Sequence, residues 1–362
     1  MNWRADQPYN ALPALPPAVA IETVPVLKRV IAARAAVAAL DQAALRMPNP
    51  AVLLNAISIL EAQASSEIEN IVTTTDELFR FAQDESDLAA PETKETLRYR
   101  TALFAGLDSI RSRPLSVTTA TEVCSIVQGR EMDVRKLPGT IIANPATRRA
   151  IYTPPQGEVV VREKLANWAD FIHTSDEIDP LVRMAVAHYQ FEAIHPFADG
   201  NGRTGRILNI LMMVDAGLLA SPILYLSRFI IAHKDDYYRL LLDVTRDAAW
   251  EPWVLFILTA VESTATTTLA KIDAIQTLQA TVREQVRATS AGANSDLLDV
   301  LFEQPYSRIA NVIERCGVSR PTAAKWLNEL VAVGVLHDVK VGRERLFINY
   351  GFLDILTRDG VR

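Results

Sequence analysis

The chain has 362 residues, of which 49% are hydrophobic and 22% charged, with a net charge of −6. That length allows two or three domains of about 150 residues each, and the charge gives no overall pull toward nucleic acid or an anionic membrane. Cys124 and Cys316 lie far apart in apolar, helical surroundings and read as reduced core thiols of a cytosolic protein. Met1 to Pro17 lacks the apolar stretch of a signal peptide, no apolar run reads as a membrane span, and no internal repeat is visible.

Residues 1 to 20 read as an extended lead-in, punctuated by Pro13, Pro16 and Pro17. Pro25 suits a helix N-terminus, and an Ala-rich run to Met47 follows. Asn49-Pro50 is a cap and a first-turn proline, opening a second helix through about Ala64. Ser65-Ser66-Glu67-Ile68-Glu69-Asn70 reads on its own as a polar helix end. Thr74 and Glu77 form a capping box for a helix to about Gln83, and Asp84 to Pro91 is an acidic loop. Helices are expected at about 93–111 and 119–127. Thr140-Ile141-Ile142 and Ala150-Ile151-Tyr152 are short β-type runs around Asn144-Pro145, which predicts a hairpin. Glu158 to His173 reads as an amphipathic helix, and another runs from about Asp179-Pro180 to Ile194. Ile207 to Val214 is apolar on nearly every side, so its helix should be buried. Leu224 to Ala232 is apolar, Asp235-Asp236-Tyr237-Tyr238 begins a further helix, and Pro252 starts a long helical run to about Thr289.

Ser290 to Asn294 is a small-residue linker. Beyond it helices are expected at about 296–303, 307–315 and 319–333, followed by β-type runs at 335–339 and 345–348 joined at Val341-Gly342-Arg343. Three helices and a hairpin look like a winged helix, with Ser319-Arg320-Pro321-Thr322 capping the candidate recognition helix. Basic and acidic side chains from Ser295 to Arg362 are about equal in number. That is a poor electrostatic footprint for DNA, and a protein-docking or dimerising role suits the module at least as well.

The stretch with most chemistry is Ile194-His195-Pro196-Phe197-Ala198-Asp199-Gly200-Asn201-Gly202-Arg203-Thr204-Gly205-Arg206. It is a histidine and a glycine-rich loop between two core helices, ending at a helix N-terminus. Such an end has N–H groups without partners and a positive dipole, which suits an anion. Gly200, Gly202 and Gly205 are expected to allow close backbone approach and positive φ. Arg203 and Arg206 supply forked donors that match phosphate oxygens. Asp199 could hold Mg²⁺, which takes one or two carboxylates beside phosphates and water. His195 is placed to take a proton at the mouth of the site.

His195 to Arg206 resembles the Fic family signature, HPFx(D/E)GNGRxxR, and matches it at every fixed position. The resemblance implies transfer of AMP from ATP to a hydroxyl of a target protein. It implies His195 as the base and Asp199 as the Mg²⁺ ligand. The backbone from Gly200 to Gly205, Thr204 included, would bind phosphates, with Asn201, Arg203 and Arg206 contacting them. A relative acting as a kinase has Lys where this chain has Gly202, which favours nucleotidyl transfer. Beside this motif, Ser65, Glu69 and Asn70 match the family's inhibitory pattern (S/T)xxxE(G/N). Glu69 would then reach Arg206 and compete with the γ-phosphate for it. The 140–152 hairpin resembles the Fic flap, which pairs its edge with an extended segment of the target. The segment bordering the adenine would bring Ala232 close and Tyr237 against the ring.

These features imply a mainly α fold: a Fic-type helical core with a β-hairpin flap and a C-terminal winged-helix domain. The expected division is 1–90 for the N-terminal helical region with the inhibitory motif, 91–290 for the catalytic core and 295–362 for the winged helix. The chain is similar to class II Fic proteins, inhibited within the chain, which implies a cytoplasmic homodimer without a membrane anchor. Two other functions stay open on sequence. One is a nucleotide-sensing regulator acting through residues 295 to 350, which the charge balance disfavours. The other is an enzyme that removes AMP or moves another nucleotide, with Glu69 orienting a water.

Overall fold

In the computed structural model, the structure describes residues 3–47, 49–82, 89–143, 147–174, 177–292, 294–341 and 344–358. The lead-in has no regular element, yet it is stitched down. Leu15 and Asn167 exchange two hydrogen bonds (2.7 and 2.9 Å), Gln190 donates to the Pro13 carbonyl (2.9 Å), and the Tyr9 N–H donates to the Thr153 carbonyl (3.0 Å).

Helix α1 (Val24–Leu45) starts at a Thr23 cap with Pro25 in its first turn and buries Val26, Val30, Ala33, Val37 and Leu40 on one face. α2 (Ala51–Ile68) runs a turn beyond the end expected near Ala64. The polar run there is internal: Ser65 and Ser66 are fully buried and Ile68 is in the core. Glu69 caps the helix, and Asn70 turns the chain with φ 63°. Thr74 caps α3 (Thr75–Phe81): its hydroxyl accepts from the Glu77 N–H (3.2 Å) and bonds the Glu77 carboxylate (3.4 Å), so the reciprocal half of the expected box goes to the hydroxyl and not to the Thr74 N–H. Most of the expected acidic loop lies outside the described residues. α4 (Pro91–Ser112) and α5 (Val117–Gln128) follow, each longer than expected by a residue or two at both ends.

The hairpin pairs β1 (Ile142–Ala143) with β2 (Ala150–Tyr152), antiparallel, Ile142 opposite Tyr152. Its Asn144-Pro145 turn lies outside the described residues. α6 (Glu158–Thr174), α7 (Pro180–Ile194), α8 (Asn201–Asp215), α9 (Leu226–Ala232), α10 (Lys234–Asp247) and α11 (Trp250–Arg287) complete the helical core. α7 and α8 are buried on nearly all sides, so they are central helices. α11 spans 38 residues, about 57 Å at 1.5 Å per residue. By length and composition alone it could cross a bilayer, but half of its most apolar window is buried, in packing against α1 and α7.

The C-terminal part comprises α12 (Asp296–Glu303), β3 (Tyr306–Arg308), α13 (Ile309–Cys316), α14 (Arg320–Ala332), β4 (His337–Val341), β5 (Glu344–Ile348) and α15 (Tyr350–Thr357). Its antiparallel sheet has the order β3-β5-β4, which with α12–α14 gives the expected three helices and a hairpin. Two features differ from expectation. The helix read from Ser307 starts at Ile309, because Tyr306–Arg308 pairs with Leu346–Ile348. The unexpected α15 is capped by Asn349 and sinks Phe352 and Leu356 into the core. The Val341-Gly342-Arg343 turn lies partly outside the described residues. This part grips α3: Phe79 and Tyr306 stack at 6.3 Å, the Tyr306 hydroxyl bonds Asp76, and Arg308 donates to the Arg80 carbonyl (2.9 Å).

Candidate active site

The loop between α7 and α8 is shorter than its glycine content suggests. α7 ends at Ile194, and His195 takes a left-handed conformation (φ 50°) while its N–H donates to Phe191 (3.0 Å). α8 already begins at Asn201, with Gly200 (φ 79°) as its N-cap. The expected positive φ therefore holds for Gly200 alone among the three glycines. Gly202 and Gly205 are helical, and proximity explains them. A Cβ at Gly202 would lie 2.2 Å from Glu69 Oε1, and one at Gly205 would lie 2.4 Å from Glu192 Oε1. Asn201 clasps the loop shut: its amide oxygen accepts from the Phe197 N–H (2.8 Å) and its amide nitrogen donates to the Phe197 carbonyl (2.9 Å). Its side chain thus holds the loop closed and has one further amide N–H beyond these two bonds. The N–H groups of Asn201, Gly202 and Arg203 have no partner within the helix, as in any first turn.

Two residues that sequence reading missed fix where His195 stands. Arg135, buried, donates through Nε to the His195 carbonyl (2.7 Å) and through Nη2 to the carbonyls of Ile194 (3.1 Å) and Pro155. It thereby satisfies carbonyls left over at the end of α7. Tyr152 of the hairpin donates to the Ala193 carbonyl (2.8 Å). The hairpin base and the histidine are therefore held by the same helix end.

The charges converge on Arg206, whose side chain is 1% exposed. It donates to Ser65 Oγ (2.8 Å), the Ser65 carbonyl (2.9 Å) and Glu69 Oε1 (2.9 Å). Burial works against its charge, and Glu69 foremost among nearby groups outweighs that and holds its pKa above the usual arginine value. Burial likewise works to raise Glu69, but Arg206, with Arg203 and His195, holds that carboxyl below its usual range. Arg203 is buried and donates to Glu95 of α4 (2.7 Å). Asp199 is exposed, and Oδ1 accepts from the Gly200 N–H (2.6 Å). Gln128 at the end of α5, with its amide oriented to satisfy its neighbours, donates to Asp199 Oδ2 (3.3 Å) and accepts from Arg203 Nη2 (3.0 Å). Thr204 N–H closes the first helical bond onto Gly200 (3.0 Å).

Two titratable groups flank this cluster. Burial, and then the charge of Arg135, push the His195 imidazole down to about 4, so it is neutral and able to accept a proton at neutral pH. Its Nδ1 is buried and the ring is held toward the Glu192 backbone, which leaves Nε2 as the nitrogen to meet an incoming group. Glu192, one turn earlier on α7, is pushed up to about 7 by burial, and its Oε1 has no partner.

Tyr237 is not at the mouth of the site. α10 buries Tyr237, Leu240 and Val244 as one stripe, and the Tyr237 hydroxyl bonds buried His188 (2.9 Å). Its neighbour Tyr238 is 44% exposed, and Glu69, Arg206 and Glu192 act electrostatically on both rings. Tyr238 is thus the ring on the open side. Ala232 lines a separate cavity with α2, α9, α11 and α15, to which the motif contributes no residue.

Residues 27–108 match the Fic/DOC family N-terminal domain, 118–213 match the Fic/DOC family, and 275–352 match the C-terminal domain of SoFic-like protein adenylyltransferases. Together these cover more than half of the chain. The chain belongs to the Fic family. Over 68 residues, 18% of this chain, it is 43% identical to the protein adenylyltransferase fic-1 of Caenorhabditis briggsae, and over 112 residues, 31% of this chain, 30% identical to the protein adenylyltransferase Fic of Drosophila virilis. The matched stretches span only 13% and 21% of those relatives. Among solved structures, a Fic family protein from Desulfovibrio desulfuricans G20 has the same fold, with a TM-score of 0.55 and 21% identity over 96% of this chain and 99% of that one. C. elegans Fic-1 (residues 134–508) gives a TM-score of 0.52 at 21% identity, over 69% of this chain and 74% of that one.

In this Fic chain the structure brings His195, Asp199, Gly200, Gly202, Arg203, Gly205 and Arg206 to one place, with Ser65 and Glu69 meeting them from the end of α2. Asn70 serves as the turn after Glu69, not as a contact of Arg206.

Proposed function

We propose that this Fic protein transfers AMP from Mg-ATP to a hydroxyl side chain of a target protein, and that Glu69 restrains the reaction. The observation that carries this reading is the α8 N-terminus, ringed by His195, Arg203 and Arg206, with Glu69 bound to Arg206 where a phosphate would be expected.

In the transfer, the target oxygen forms a bond to the α-phosphorus, the bond from that phosphorus to the oxygen leading to the β-phosphate breaks, and pyrophosphate leaves. The target proton passes to His195 Nε2. Unpartnered N–H groups of the first turn of α8, with Arg203 and Arg206, hold the phosphate charge as it shifts onto the leaving group. The residues present fit Mg²⁺ bound through phosphates, not in a protein cage. Asp199 offers one exposed carboxylate, and among the described residues no three acidic, His or Cys side chains cluster as a metal site. Mg²⁺ shared between one carboxylate, phosphates and water has this donor set, and bound there it would neutralise phosphate charge. Exposed Ile141 and Ile151 and the tether to the α7 end beside His195 support target docking on the 140–152 hairpin.

The test is mass spectrometry of protein incubated with Mg-ATP, comparing Glu69→Gly with Glu69→Gly,His195→Ala. Addition of one AMP in the first and none in the second is expected. No adduct in the single variant, on itself or on added cell proteins, would overturn the activity; an equal adduct in both would overturn the role of His195.

A further inference from the structure

The hairpin differs in charge from the chain that carries it. The protein as a whole is at −6, yet from Val134 to Gly157 the sequence has Arg135, Lys136, Arg148 and Arg149 and no acidic residue. Two of these cations are already engaged. Arg135 is buried on the carbonyls at the end of α7, and Lys136 binds Asp133 (3.3 Å) and Glu158 (3.8 Å), which Arg162 also binds (3.0 and 2.9 Å). Arg148 and Arg149, at the turn end of the hairpin, are not engaged. Both are exposed, and no carboxylate among the described residues meets either guanidinium. Apolar side chains are exposed nearby. Ile141 and Ile151 belong to the hairpin, and the Lys136–Glu158 pair brings Leu137 and Val159 (80% and 70% exposed) together at its base. Among the described residues β1 pairs with β2 alone, so its other edge holds no strand.

We propose that the hairpin selects its targets by charge, taking an extended protein segment with acidic side chains near the hydroxyl to be modified. This rests on the AMP-transfer reading and specifies the target within it. A segment laid along the free edge of β1 gains affinity from main-chain bonds that any sequence can make, so side chains must supply the choice. The two unengaged guanidinium groups favour a carboxylate and oppose a lysine or arginine, and the opposition contributes as much to selection as the attraction. The exposed isoleucines, with Leu137 and Val159, offer apolar contact to the residues between. The strand also sets the spacing. Tyr152 is tied to the α7 end beside His195, and Arg149 lies three residues before it, about 10 Å at 3.3 Å per residue. The preferred acidic side chains therefore fall about three or four residues from the hydroxyl.

The test is peptide binding, read without ATP. Two short peptides are immobilised, each with a central threonine between valines. One carries glutamates at the third and fourth positions on either side, and the other carries lysines there. Binding of the full chain is followed by surface plasmon resonance. The glutamate peptide should bind about tenfold more tightly at low salt, and the gap should narrow as salt is added. Arg148→Gln,Arg149→Gln should erase the preference, and Arg148→Glu,Arg149→Glu should reverse it. Both positions are exposed, so neither variant disturbs the core. Equal binding of the two peptides, no binding of either, or a preference unchanged in both variants would overturn the selection. No nucleotide is present, so these results stand apart from AMP transfer, which the adduct on Glu69→Gly decides.

Discussion

Replacing Glu69 should raise AMP incorporation, and the structure bounds by how much. Arg206 makes three hydrogen bonds to α2, and only the one to Glu69 (2.9 Å) involves an opposite charge. A hydrogen bond to a charged group is worth about 1.5–3 kcal/mol. The Glu69 side chain is 35% exposed, so solvent screening puts the contact near the lower figure. At 1.4 kcal/mol per factor of ten, freeing Arg206 for phosphate gains about tenfold. Correcting the alignment of the α-phosphate can add on the order of 10²-fold. Glu69→Gly should therefore increase incorporation between about tenfold and a thousandfold, with Glu69→Gln intermediate because the amide still accepts a hydrogen bond without the charge. Stability should fall by about 1–3 kcal/mol, since Ser65 keeps two of the three contacts but buried Arg206 loses its counter-charge. The assay is labelled AMP incorporation from α-labelled ATP, with urea denaturation alongside. A folded Glu69→Gly that is no faster than wild type would refute the restraint. So would a gain that survives the further change Arg206→Ala, because the freed guanidinium is what the gain requires.

Other expectations follow from the same contacts. His195→Ala in the Glu69→Gly background should lose about 10²–10⁴ in transfer rate and keep its ATP affinity, measured by calorimetry; a loss below tenfold would remove the base assignment. Tyr238→Ala should raise KM for ATP several-fold. Tyr237→Phe should leave KM alone and cost about 1–3 kcal/mol of stability, because buried His188 loses its partner; the reverse pattern would mean that the two tyrosines have been assigned the wrong way round. Glu192, held near 7 against an ordinary 4.5, favours folding while protonated. That contribution is fully present below about pH 4.5 and is lost as pH rises through about 7. Wild type should then gain on the order of 2 kcal/mol over Glu192→Gln in unfolding free energy between pH 8 and pH 5, and parallel pH profiles for the two would contradict the raised pKa. Asp199→Ala should abolish the magnesium dependence of transfer, read as rate against metal concentration.

Local sequence carried much of this. The helices around the motif, the cap at Thr74 and the hairpin all follow from signals a few residues long. The contact of Glu69 with Arg206 joins positions 137 apart, and only resemblance to a known pattern made it visible. Arg135 and Glu95 had no such pattern, and an isolated arginine or glutamate gives no periodic signal for a partner 60 or 108 residues away. The end of α2 was misplaced because serines are usually exposed, whereas Ser65 is buried to serve Arg206. Tyr237 is different, because its place was readable: Tyr237, Leu240 and Val244 have the spacing of a buried helical stripe, which leaves Tyr238 outward. The glycines of the motif were given a backbone reason when two of them owe their size to carboxylates from other helices.

The C-terminal grip on α3 changes how the restraint should be pictured. Glu69 sits on a short span of chain between two abutments, α2 on one side and α3 on the other, and the second is clamped by Tyr306 and Arg308 from far along the sequence. A chain cut after residue 290 keeps every group of the motif but leaves the span anchored at one end only. Such a truncated protein should leak activity that the whole chain holds back, and its rates would describe a released enzyme.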